Sequence, residues 1–82
     1  DADESNFHLG LANYHQDNQT TAKKLFEKVV NQNKKHTLSY LYLYKIAKLN
    51  NNRSEMDAYQ SIINQLDSNI DLANEWIEKN LL

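Results

Sequence analysis

Apolar residues recur along this chain every three or four positions, and short polar runs rich in asparagine interrupt them. The cleanest run is Ala22, Leu25, Phe26, Val29 and Val30, which stand at i, i+3, i+4, i+7 and i+8. They form one stripe of a helix predicted over 19–32. Phe7, Leu9, Gly10, Leu11 and Tyr14 predict a helix over 3–16, ended by "QDN". Beyond "NQNKKH", the segment "LSYLYLYKIAKL" is apolar nearly all round. This predicts a helix over 37–50 that is sandwiched between others. After "NNN", Tyr59, Ile62, Ile63 and Leu66 predict a fourth helix over 53–66. A fifth, over 69–81, follows from Ile70, Ala73, Trp76, Ile77 and Leu81. Breaks this short make consecutive helices antiparallel neighbours.

Cap signals support these boundaries. Asn18 suits an N-cap for the second helix, Asn52 with Glu55 a capping pair for the fourth, and Ser68 with Asp71 a capping box for the fifth. One residue opposes the pattern. Gly10, the single glycine in the chain, sits inside the first helix, where glycine costs about 1 kcal/mol relative to alanine. A close helix crossing would offset that cost, and Ala22 is its expected partner, with Leu9, Leu25 and Phe26 packed around it. Tyr40, Tyr42 and Tyr44 alternate in the third helix and cannot share one face at 100° per residue. One or two are therefore core, and at least one reaches the surface.

The four predicted helices before residue 67 make two hairpins. An offset of 34 pairs Leu9 with Leu43, Leu25 with Tyr59 and Val29 with Ile63, and it aligns the breaks. An offset of 37 pairs Gly10 with Ala47 and Phe26 with Ile63, and it matches residue size better. The alignment of the breaks favours 34.

Composition narrows the picture. The chain has 82 residues, no proline, no cysteine and a formal charge of −2, with a sequence pI near 5.8. Length gives one small domain, and the lack of turn residues excludes an all-β fold. Without a basic excess, nucleic acid is not the expected partner. Without cysteine there is neither a disulfide framework nor a thiolate metal site. No apolar run approaches the ~20 residues of a membrane span. The absence of an initiator methionine at Asp1 suggests processing from a longer protein. The expected state is soluble, in cytoplasm or periplasm, and the Asn- and Lys-rich composition suggests a bacterial source.

The first hairpin resembles a tetratricopeptide repeat, a helix–turn–helix unit of the same period. Leu9 and Gly10 match that family's Leu-Gly pair, Ala22 its second-helix alanine, and Phe26 the aromatic four residues on. Val29 and Val30 match the pair near the unit's end, while Lys34 replaces the family's terminal proline. The second unit departs further, with Tyr44 in the small-residue slot and Met56 in the alanine slot. Its end, "INQLDSN", is similar to the family's "ALELDPN". The resemblance implies an all-α, right-handed superhelical solenoid: unit one over 3–36, unit two over 37–68 and a capping helix over 69–82. Two units and a cap are few for such an array, which points to a fragment of a longer array or to self-association.

Sites of chemistry are weakly represented. His8 and His15 are seven residues apart, roughly 10 Å along a helix, too far to share a zinc ion, and His36 lies in a break. All three are expected on the solvated surface. The serines sit at helix starts or on helix surfaces, and a single glycine rules out a glycine-rich phosphate loop. No enzyme activity, metal or cofactor is expected.

What the resemblance does imply is a protein- or peptide-binding groove lined by the first helix of each unit. Carried over, its positions are Phe7, Leu11, Tyr14 and His15 in unit one, and Leu38, Leu41, Lys45 and Lys48 in unit two. The carboxylate clamp of chaperone-binding members needs Lys and Asn where this chain has Phe7 and Leu11, so it is missing. The groove would be aromatic and aliphatic, with a basic edge at Lys45 and Lys48. Alternatives are a peptide-sensing regulatory domain of a larger signalling protein and a self-associating structural domain.

Overall fold

The computed structural model describes residues 2–66, and these fold into four antiparallel α-helices with no strand among them. They are α1 (Ala2–His15), α2 (Gln19–Gln32), α3 (Thr37–Leu49) and α4 (Arg53–Leu66). The expected fifth helix, and with it the Ser68–Asp71 capping box, lies outside the described residues. The radius of gyration, 11.7 Å, is what a compact chain of this length has, about 12 Å.

Two identical turns define the hairpins. After α1, Asn18 N–H donates to the Asn13 carbonyl at 2.8 Å, and Asp17 N–H donates to that of Tyr14 at 3.2 Å. After α3, Asn52 N–H donates to Ala47 at 2.9 Å and Asn51 N–H to Lys48 at 3.2 Å. Both are Schellman motifs, which satisfy the last carbonyls of a helix and need one left-handed residue. Asp17 (φ 65°) and Asn51 (φ 57°) supply it. They stand 34 residues apart, as do the starts of α2 and α4 and the ends of α1 and α3. The helix boundaries thus follow the 34-residue offset rather than the 37-residue one.

The first hairpin (α1 on α2) and the second (α3 on α4) meet where α2 packs on α3. An aromatic cluster forms that seam. Tyr42 stacks on Phe26 with ring centroids 5.2 Å apart and meets Phe7 and Tyr14 edge-on at 6.0 and 5.4 Å. Tyr40, 200° away around α3, instead contacts Tyr59 of α4 at 6.3 Å. The alternating tyrosines thus serve opposite sides of a central helix. Tyr40 and Tyr42 are buried, while Tyr44 is half-buried against the core.

Three expectations need correction. Leu9 is 53% exposed: the buried line of α1 is Phe7, Gly10 and Tyr14, which turns the neighbouring leucine outward. The close approach at Gly10 is made by the Phe26 ring rather than by Ala22. A β-carbon there would lie 2.8 Å from Phe26 Cε1. Asn18 occupies the N-cap position of α2 but makes no side-chain cap bond. Its amide nitrogen turns back to donate to Asn13 Oδ1 at 3.4 Å, on the α1 side of the turn.

Candidate functional site

The capping groups of the second hairpin set the surroundings of the expected site. Asn52 Oδ1 accepts from Glu55 N–H at 3.2 Å, so half of the expected capping pair forms. The reciprocal half does not, because Asn52 N–H already donates to Ala47 in the turn. The Glu55 carboxylate is left to accept from Lys23 Nζ of α2 at 2.9 Å. That bond chiefly, with the nearby charge of Glu55, raises the Lys23 ammonium above its usual range. The two side chains are 30% and 32% exposed, so this clip between hairpins is worth little in water.

His36 is not a solvated histidine. It is half-buried and is the N-cap of α3, where its Nδ1 accepts from Ser39 N–H at 3.3 Å and lies 2.9 Å from Ser39 Oγ. Its ring packs on Phe7 with centroids 4.8 Å apart. His8 and His15 are exposed, and His8 pairs with Glu4 of its own helix at 3.7 Å.

The eight groove positions divide in two. Phe7, Tyr14 and Leu41 are buried and belong to the core. Phe7 and Tyr14 carry Tyr42 between them, so both face the second hairpin. Leu11, Leu38 and Lys45 are half-buried, the two leucines resting on the core, while His15 and Lys48 are exposed. Of the eight, Leu11, His15, Leu38, Lys45 and Lys48 are therefore the ones at least partly open to solvent. Burial raises the Tyr14 and Tyr59 hydroxyls and pushes that of Tyr42 up to about 12, with Tyr14 adding to the last.

Two depressions mark opposite ends of the hairpins. One, of about 290 Å³, is lined by Lys48, Asn51, Arg53, Met56 and Asp57 at the α3–α4 turn. The other, of about 340 Å³, is lined by Asp3, Glu4, Phe7, His8, Asn33 and His36, where α1 begins and α2 passes to α3. Pattern alone gave no sign of the second, because its members come from three separate segments. Among the described residues, no three His, Asp or Glu side chains converge in a way that could hold a metal ion. No described helix is long and apolar enough to cross a membrane.

Compared with known proteins, the chain matches no family model, no curated protein and no solved structure.

Proposed function

We propose that this chain is a protein–protein interaction module, built as a short tetratricopeptide-like helical repeat with a second, degenerate unit and no chemistry of its own. The observation that carries the reading is the recurrence of helix boundaries and left-handed turn residues at one spacing, Asp17 to Asn51 and Gln19 to Arg53. A hairpin used twice offers the first helix of each copy to one side. On that side Leu11 and Leu38 supply apolar area, and Lys45 and Lys48 supply a basic edge. An extended or helical peptide with apolar and acidic residues suits such a surface, since apolar burial gives affinity and opposite charge gives register. The surface is narrower than the resemblance implies, because Phe7, Tyr14 and Leu41 are spent on the core.

The test uses the Lys45→Glu, Lys48→Glu double variant, since neither lysine is buried and the fold should survive. Wild type and variant are each used to capture proteins from extracts of the source cell, with circular dichroism as the check on folding. A protein retained by wild type and lost from the folded variant supports the reading. Equal retention would remove this face from consideration. Light scattering across concentrations separates a foreign partner from a second copy of the chain.

A further inference from the structure

We infer that His36 is a pH-sensitive joint between the two hairpins, and that its protonation releases the start of α3. The inference rests on geometry and is independent of the proposed function. A backbone N–H can only donate, so Nδ1 must offer Ser39 a lone pair, which places the ring proton on Nε2. Ser39 is wholly buried, so its amide has no water to turn to. A proton on Nδ1 could still be shared with Ser39 Oγ at 2.9 Å, but the Ser39 amide would lose its acceptor. The ring would also carry positive charge at the N-terminus of α3, where the helix dipole already concentrates positive potential.

The surroundings do not reverse this. From α1, Asp3 and Glu4 line the same depression and favour a cation, but Glu4 already pairs with His8 at 3.7 Å. His8 itself lines that wall. Lys34 and Lys35, in the segment joining α2 to α3, oppose a second positive charge. The last turn of α2 carries no acidic or basic residue, and α3 carries none before Lys45. The lost acceptor and the unfavourable helix end therefore dominate. Protonation of the ring at Nδ1 thus removes the cap. Because the same ring packs on Phe7, the loss falls on the seam between hairpins rather than on a free helix end.

The experiment compares thermal unfolding of the 82-residue chain and its His36→Asn variant at pH 7.5 and pH 5.0. Asparagine keeps an oxygen that can cap α3 but does not titrate over this range. Every other ionisable group is common to both proteins. Wild type should lose about 5 °C more than the variant on acidification, the size expected for one capping bond in a domain this small. Equal losses would overturn the inference. Should His36→Asn fold too poorly to melt cooperatively, nitrogen-15 NMR of the wild type decides. The Ser39 amide resonance should move with the same inflection as the His36 ring. A ring that titrates while that amide stays still contradicts the proposal.

Discussion

At Gly10 the helix gives up propensity for contact. The Phe26 ring lies where a β-carbon would stand, with Cε1 at 2.8 Å and both Cδ1 and Cζ at 3.1 Å. Phe26 cannot swing aside, since it is fully buried between Phe7 at 5.8 Å and Tyr42 at 5.2 Å. Gly10→Ala would gain up to about 1 kcal/mol of helix propensity. Overpacking a closed core costs about 1–3 kcal/mol. The clash should win, leaving the variant less stable by about 1 kcal/mol in urea unfolding. If Phe26 is the cause, the sign reverses when the ring is removed: in a Phe26→Leu background, Gly10→Ala should be neutral or stabilising. A loss of equal size in both backgrounds would assign the cost to something other than the ring.

The two Schellman turns place a β-carbon in left-handed backbone at Asp17 and Asn51, a conformation that costs an ordinary L-residue about 1–2 kcal/mol. Glycine removes that cost but loses more entropy on folding, so Asp17→Gly should stabilise the chain by about 0.5 kcal/mol. Asn51→Gly should gain less, because asparagine tolerates the region better. Thermal melts of the two variants check the order, and a drop in both would show that the β-carbon is not the liability. These turns also mark how far sequence alone reaches. Both ends of α2 and the start of α4 were legible to the residue, because each helix carries a single apolar stripe preceded by a polar run. In α1 the stripe was ambiguous. Leu9 and Leu11 flank Gly10, and periodicity did not tell which would face outward; the Phe26 ring decides it by claiming the Gly10 side. The cap at His36 carried no signal, since histidine is not a residue that marks helix starts. The burial of Phe7, Tyr14 and Leu41 carried no signal either, since a residue of the next hairpin, Tyr42, covers two of them. That kind of burial leaves no local pattern.

At the scale of the fold, Tyr42 is a side chain that joins the hairpins, being 2% exposed and in ring contact with Phe7, Tyr14 and Phe26. Its hydroxyl, pushed up to about 12 by burial and then by Tyr14, makes the assembly sensitive to base. In the unfolded chain a tyrosine ionises near pH 10. Between that value and about 12 the unfolded state releases a proton that the folded state retains, so stability falls as pH rises through this window. Tyr14 and Tyr59 are shifted the same way by burial and steepen the fall. The contribution, of order 2 kcal/mol, is fully present below pH 10. Alkaline titration followed by circular dichroism and by tyrosinate absorbance should therefore show helix loss and Tyr42 ionisation as one event, not two. Tyr42→Phe keeps the stacked ring and removes the ionisable group, so its unfolding midpoint should move to higher pH by roughly half a unit. A midpoint unchanged from wild type would mean that the hairpins separate for another reason, and that Tyr42 ionises only after they have come apart.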